Sequence, residues 1–295
     1  MLERTFQLIP GVGPWRERDL WARGILSWSD FPQEGGEVAI SKERDRAGRE
    51  RIAQARAALA QGDLRALRRL LPRREHWRLY PHFKGRAAFF DIEADGDRVP
   101  TVASVFDRSG PRTFIRGRNL DELPAALAES ELWVSFNGSV FDVPALVAHF
   151  GKLPRPALHL DLRFLCQRIR LNGGLKSIED RLGLSRPLHL RGVAGFDAIL
   201  LWRAYQETGD VEALRFLVEY NLYDSINLRS VVERGYNLAA EELAFEDRLE
   251  VFDRGEVLYD LSKLLLGLGP TQRDLKVLER LRGCADRQLR EDWPQ

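Results

Sequence analysis

The order of strand-like and helix-like segments in the middle of the chain most constrains its fold. Five short apolar runs, separated by Gly, Pro and Asp, occur there: residues 87–93, 101–106, 112–117, 131–138 and 158–162. The first three follow one another closely, which is typical of a meander of antiparallel strands. Helical patterns alternate with the last two. A sheet built from these runs is mixed and covered by helices, which predicts an α/β fold with five strands.

Helical periodicity extends on both sides of this region. Residues 37–71 place apolar side chains at helical spacing opposite an arginine-rich face. Residues 72–85 contain two prolines and little periodicity, and they are predicted as the crossing into the next domain. The chain after the last apolar run reads as helical to its end. We predict three regions: a basic helical N-terminal region (1–85), an α/β domain (86–238) and a C-terminal helical region (239–295).

Composition excludes several classes of protein. With 295 residues, 44% hydrophobic and 30% charged, the chain can bury a sizeable core. Its apolar runs are too short to cross a bilayer, and its N-terminus lacks a secretory pattern. We therefore expect a cytoplasmic protein without membrane contact. Cys166 and Cys284 have no partners at metal-ligand spacing, which argues against a disulfide framework or a zinc site.

Charge is distributed unevenly along the chain. The net charge is only +1, but residues 42–86 hold fourteen Lys or Arg against five acids, a local net charge of +9. Such a stretch is either a solvated helix face or a surface that binds a nucleic-acid backbone. Both interpretations stay open.

The first apolar run ends in two carboxylates, Asp91 and Glu93. Side chains two apart in a strand share one face and lie about 7 Å apart. Two like charges beside a core are unfavourable unless a cation or a shared proton compensates them. The pair therefore predicts a bound cation.

Two more acids extend this site. Asp142 follows a buried strand and a glycine turn, where it would equally suit the positive end of a helix. Asp224 lies four residues after Tyr220, and positions i and i+4 are neighbours on a helix. Tyr220 could also be a packing residue. Four carboxylates and a phenol form an oxygen-only set that suits two divalent cations, Mg²⁺ or Mn²⁺.

Three motifs resemble those of a known family. DIE at 91–93, FNGSVFD at 136–142 and YNLYD at 220–224 are similar, in order and spacing, to the exonuclease motifs of DEDD-type 3′–5′ exonucleases, especially the YprB-type branch. The resemblance implies a ribonuclease H-like domain. It also implies a two-metal-ion mechanism with these ligands: Asp91, Glu93, Asp142 and Asp224.

The last motif separates subclasses of that family. The histidine subclass has His five residues before the final Asp, where this chain has Glu219. The tyrosine subclass, DEDDy, has Tyr four residues before it, and Tyr220 fits. The resemblance implies that Tyr220 orients the attacking water and that the substrate is a single-stranded 3′ end, with DNA and RNA both open. Asn137 is either a turn residue or a neighbour of the substrate.

The N-terminus contains a second candidate nucleic-acid contact. Gly11, Gly13 and Arg16 lie in IPGVGPWR, which resembles half of a helix-hairpin-helix motif whose turn presents backbone N–H groups to a phosphate. A tight turn between packed helices explains the glycines equally well. Asp161 reads as the end of a strand, and Glu179 with Asp180 as a solvated helix face.

Two alternatives to an exonuclease remain at this point. The chain could be a catalytically silent ribonuclease H-like module that only binds nucleic acid. The acids could also hold one structural cation, with the N-terminal region recruiting a protein partner. Cleavage that requires a divalent ion discriminates, because hydrolysis needs an activated water as well as a bound ion.

Overall fold

The computed structural model describes residues 1–255, 257, 263–265 and 267–268. The chain forms two compact units. The first unit comprises Met1–Arg86 and Gly235–Leu249, and the second comprises Ala87–Arg234 with the described residues from Glu250 onward. The division at Arg86 falls one residue after the boundary proposed from sequence. A separate role for each region stays a prediction.

The first unit is helical. Short 3₁₀ turns at Leu2–Arg4, Arg73–Leu79 and Lys84–Arg86 accompany four α-helices: α1 (Pro14–Ala22), α2 (Lys42–Ala60), α3 (Leu64–Leu70) and α4 (Tyr80–Phe83). Ser41 and Asp63 cap α2 and α3 by accepting hydrogen bonds from first-turn N–H groups. The segment 37–71, predicted to be helical, thus contains two helices separated by a turn at Gly62, whose φ is +64°.

The segment 72–85, predicted as the crossing into the α/β domain, leads to the division between the units at Arg86. This segment is almost wholly helical, as a 3₁₀ helix followed by α4. Its prolines do not prevent this, because Pro72 precedes the first turn and Pro81 lies at the start of α4, where a missing N–H does no harm. Burial of Trp77 and Leu79 outweighs the weak local periodicity.

A buried ion network holds the first unit together. Arg78 is fully buried and donates to Glu75 at 2.8 Å and to Glu17 at 2.9 Å. Glu17 also accepts from the hydroxyl of Thr5 at 2.6 Å and from the side chain of Gln7 at 2.8 Å. Arg78 thus binds two buried carboxylates, whereas Arg74, 3.8 Å from Glu75, is mostly exposed, and this makes Arg78 critical for the stability of this unit.

The second unit is built on a mixed sheet of five strands, as predicted. The strands are β1 (Ala87–Ala94), β2 (Pro100–Asp107), β3 (Gly110–Ile115), β4 (Leu132–Ser135) and β5 (Leu158–Asp161). Their order is β3-β2-β1-β4-β5. The first three are antiparallel neighbours, whereas β1 with β4 and β4 with β5 are parallel pairs. The meander and the later strands therefore meet at β1.

Six helices accompany this sheet. They are α5 (Leu123–Ala128), α6 (Asp142–Phe150), α7 (Leu162–Arg168), α8 (Leu175–Arg181), α9 (Gly195–Thr208) and α10 (Val211–Glu242). One face of β1 packs Phe90 and Ile92 into a core with Leu127 and Leu146 of α5 and α6. The opposite face of β1 carries Asp91 and Glu93, which point toward α10. The alternation of a strand thus separates the apolar core from the acidic side chains.

The C-terminal region predicted at 239–295 lies largely outside the described residues. Of it, the structure describes the end of α10, a stretch without regular structure from Leu243 to Arg254, and residues 255, 257, 263–265 and 267–268. Cys166 is a buried free thiol, whereas Cys284 lies outside the described part. Among the described residues, no helix combines the length and the apolar character needed to cross a bilayer.

Candidate active site

Three carboxylates converge at the end of β1. Asp91 and Glu93 lie on the same face of this strand, as predicted, and Asp224 faces them from α10. One oxygen from each of the three lies within 4.8 Å of the others. Asp224 is only 5% exposed. Three oxygen ligands therefore meet in a space that one divalent cation can bridge.

Hydrogen bonds hold α10 against the sheet at this point. Asn221 donates from Nδ2 to Oδ2 of Asp91 at 2.9 Å. Ser104, opposite Asp91 on β2, donates to the carbonyl of Asn221 at 2.9 Å and lies 2.9 Å from the hydroxyl of Ser225. These partners place Asp224 over β1. The sequence pattern did not single out Ser104 or Ser225.

Asp142 stands beside the three-carboxylate cluster and is not one of its members. It begins α6, is 3% exposed, and accepts a hydrogen bond at Oδ1 from the backbone N–H of Ile92 at 3.1 Å. Because β4 ends at Ser135, this carboxylate takes the place of a strand neighbour beside β1. A Cβ on Gly138 would lie 2.2 Å from the Ser135 hydroxyl oxygen, so this position of the FNGSVFD motif requires glycine. Metal ligation by Asp142 stays a proposal.

Burial, together with crowding of like charges, raises the pKa values of these acids. Burial, followed by the charges of Asp224 and its neighbours, raises the pKa of Asp91 and that of Glu93 well above their usual range. Burial raises the pKa of Asp142 to about 7, against the hydrogen bond from Ile92. Without a cation, part of the negative charge is neutralised by protons. A divalent ion would favour the ionised forms instead.

These shifts predict how stability depends on pH. In EDTA, we expect the melting temperature to fall from about pH 4 to about pH 7. Within this window the folded state binds more protons than the unfolded state, because the pKa of Asp142 is raised from 3.8 to about 7. Added Mn²⁺ should weaken the fall. Melting curves from pH 4 to 8, with and without Mn²⁺, measure both effects.

The variant Asp142→Asn serves as the control for this prediction. Burial lowers the pKa of His76, which raises stability with pH over part of the same window. Comparing the variant with the wild type cancels that contribution. An equally steep fall in the variant would contradict the assignment to Asp142.

A buried arginine links the cluster to α8. Arg186 is 8% exposed and donates to Asp224 and, at 2.6 and 2.8 Å, to the two oxygens of Glu179. Asn227 donates to Glu179 at 2.8 Å. The interpretation of Glu179 as a solvated residue is wrong, since it is 1% exposed. Its neighbour Asp180 is exposed, as expected.

Tyr220 lies one helical turn before Asp224, as its spacing predicts. Its hydroxyl accepts a hydrogen bond from Lys176, whose ammonium lies 4.3 Å from the centre of the tyrosine ring. Burial, and then the charge of Asp224, raise the pKa of Tyr220 above its ordinary value. The phenol therefore keeps its proton, and its O–H can donate a hydrogen bond. Lys176 is a site residue that the sequence pattern did not reveal.

The loop before Asp142 is held by Asp161. This carboxylate accepts from the backbone N–H groups of Asn137 at 2.8 Å and Ser139 at 3.1 Å, and it also caps α7. Asn137 has a φ of +61°, typical of a turn, and its side chain accepts from Arg163 at 2.7 Å. Asn137 and Arg163 line a cavity of about 470 Å³ with Gln167 and Asn172. Substrate contact by Asn137 stays a proposal.

The N-terminal residues proposed to bind nucleic acid belong to the first unit. Gly11 has a φ of +78°, Gly13 precedes α1, and Arg16 donates to the Gly11 carbonyl at 2.6 Å. The structure thus brings the three together in one turn. Among the described residues, the 3₁₀ turn Leu2–Arg4 precedes this turn.

The donor set fits a hard divalent cation. All ligand atoms of the cluster are carboxylate oxygens, with no thiolate or imidazole among them. Mg²⁺ and Mn²⁺ prefer such ligands. Burial raises the pKa values of Asp91 and Glu93, so their ionised forms are favoured when a cation lies beside them. The cluster can therefore hold a metal.

Comparison with known protein families decides the class of this chain. The family model described as the RNase H superfamily matches residues 88–236, which is half of the sequence. The chain belongs to the RNase H superfamily. The matched range begins in β1 and ends in α10, so it contains the sheet and the acidic cluster. Comparison with curated proteins and with solved structures found no match.

Membership of the RNase H superfamily indicates a hydrolase that acts on nucleic acid. The five-stranded mixed sheet agrees with that fold. The acidic cluster lies at the end of its central strand, where β4 has ended and α10 closes over the sheet. Divalent metals serve nucleases of this superfamily, and the three carboxylates provide the place for one.

Proposed function

We propose that this RNase H superfamily chain is a metal-dependent 3′–5′ exonuclease of the DEDDy type, acting on 3′ ends of single-stranded nucleic acid. The observation that supports it most is the meeting of three motif carboxylates, Asp91, Glu93 and Asp224, with Tyr220 one helical turn before Asp224. The first and third motifs thus supply one cluster in space, and Asp142 of the second motif lies beside it.

The tyrosine assignment has support of its own. Glu219, at the position where the histidine subclass has its His, pairs with His189 at 2.9 Å and is engaged there. Tyr220 instead experiences the charges of Asp224 and Glu93. Since its phenol keeps the proton, Tyr220 can donate a hydrogen bond to a water but is a poor general base.

Two divalent ions, when bound, would supply an activated water and stabilise the departing 3′ oxygen. Side chains of the protein would fix the positions of these ions. Asp91 and Glu93 hold ligand oxygens on a rigid strand, and Arg186 holds the Asp224 carboxylate. The Tyr220 hydroxyl can orient the attacking water toward the terminal phosphate.

A digestion assay tests the proposed function. Single-stranded DNA and RNA, labelled at either end, are incubated with Mg²⁺, Mn²⁺ or EDTA. We expect stepwise shortening from the 3′ end that EDTA and the substitution Asp91→Asn both abolish. Internal cuts would indicate an endonuclease. Binding without cleavage of either polymer would favour the catalytically silent module.

A further inference from the structure

Helix α8 presents two charged residues on one side. Lys176 and Glu179 are three residues apart, which places them on the same face of the helix. On α10, Tyr220, Asp224 and Asn227 follow one another at four and three residues, which also defines one face. These two faces meet.

Polar contacts fix the register of α8 against α10. Lys176 donates to the Tyr220 hydroxyl, and one turn further Asn227 donates to Glu179 at 2.8 Å. Arg186 links the two helix faces, because it binds Glu179 of α8 and Asp224 of α10. A slip of either helix would break these contacts. The position of the Lys176 ammonium is therefore determined by a buried network.

Lys176 and Arg186 differ in exposure, and this separates their roles. Arg186 is 92% buried and is already engaged by two carboxylates, so it acts as a fixed counter-ion. Lys176 is half-buried. Its contact with Tyr220 uses one of the three ammonium N–H donors, and an ammonium can direct its other donors to a further ligand.

A cavity opens beside the start of α8. Gly173, Gly174 and Ile178, which flank Lys176 in sequence, line the 470 Å³ cavity together with Asn137 and Arg163. A nucleic-acid strand that enters this cavity carries one negative charge per phosphate, and the ammonium held beside Tyr220 is a cation near its path. Lysine commonly binds phosphate in this way, as a point charge.

We propose that Lys176 is a further catalytic residue, whose ammonium binds a non-bridging oxygen of the phosphate being cleaved while it holds the Tyr220 hydroxyl in place. This assignment rests on the proposed exonuclease function. It makes α8 a contributor to catalysis in addition to the three motifs. Glu179 and Arg186 act as positioning residues for Lys176 and Asp224.

Affinity for a modified substrate tests the contact with phosphate. With Ca²⁺ as the divalent ion, binding is measured for a single strand and for the same strand with a neutral methylphosphonate at its terminal linkage. We expect the wild type to prefer the natural strand by about tenfold or more, as befits a charge-assisted hydrogen bond. In Lys176→Met we expect this preference to fall at least fivefold, and the divalent ions account for the part that remains.

Further variants separate a catalytic from a structural role. Lys176→Arg keeps the charge and should retain most of the preference. Lys176→Gln gives the same readout as Lys176→Met if the latter does not fold. Lys152→Met, at an exposed lysine of the same unit, should behave as the wild type.

Two failures can be told apart. If the wild type shortens strands from the 3′ end but Lys176→Met keeps the full preference for the natural strand, only the role of Lys176 is overturned. Tighter Mn²⁺ binding by that variant would then identify Lys176 as a counter-ion for the acids. If the wild type does not shorten strands, the proposed function falls, and the role of Lys176 with it.

Discussion

Replacing Asp224 by Asn should reduce metal-dependent cleavage about a thousandfold or more. A metal contributes several kcal/mol of transition-state stabilisation, and each tenfold loss of rate corresponds to about 1.4 kcal/mol. Asp224 supplies one of the three converging oxygens and is held by Arg186. A neutral amide removes the charge and directs N–H donors toward the guanidinium or the cation. Initial cleavage rates and calorimetric titration with Mn²⁺ measure the loss.

Asp180→Asn is the matched control for this change. Asp180 lies on α8 next to Glu179 and is exposed, so its substitution should leave both rate and Mn²⁺ affinity unchanged. Melting curves establish whether the Asp224 variant is folded. Cleavage by Asp224→Asn at more than a tenth of the wild-type rate would exclude this cluster as the metal site.

Replacing Arg78 by Met should destabilise the first unit by about 3–5 kcal/mol. Removing one partner from a buried ion network leaves uncompensated charge in the interior, and that range is typical of the cost. Here two carboxylates, Glu17 and Glu75, would lose their shared guanidinium while remaining buried. Methionine fills much of the volume, so the loss reports charge and hydrogen bonds more than packing.

Hydrogen exchange measures this effect without assuming that the two units unfold together. The most protected amides of α1 and of the 3₁₀ helix Arg73–Leu79 report the unfolding free energy of the first unit. Arg69→Met, at an exposed arginine on α3, should change it by less than about 0.5 kcal/mol. A loss below 1 kcal/mol for Arg78→Met would show that the network contributes little.

Local periodicity in the sequence predicts much of the fold and part of the site. The five apolar runs became the five strands, because alternation and short turns are local properties. Asp91 and Glu93 share a face for the same reason, and Tyr220 with Asp224 because of helical spacing. Residues 72–85 have little periodicity in the sequence but are helical, and Trp77 is buried there against the distant Tyr236.

The remaining site residues were not visible in any local pattern. Glu179 has the spacing of a solvated residue, yet Arg186 and Asn227 compensate its charge in the interior. Lys176 reaches Tyr220 from 44 residues away in the sequence. The pairing of α8 with α10 creates these contacts, and no periodicity within either helix encodes it.

Backbone repeats are local, so the pattern of residues predicts the five strands and which acids share a face. Which charges are buried depends on how elements distant in the sequence pack together. A charged side chain can leave water only beside a compensating partner, and in this chain the partners of Glu17, Glu179 and Asp224 come from other elements.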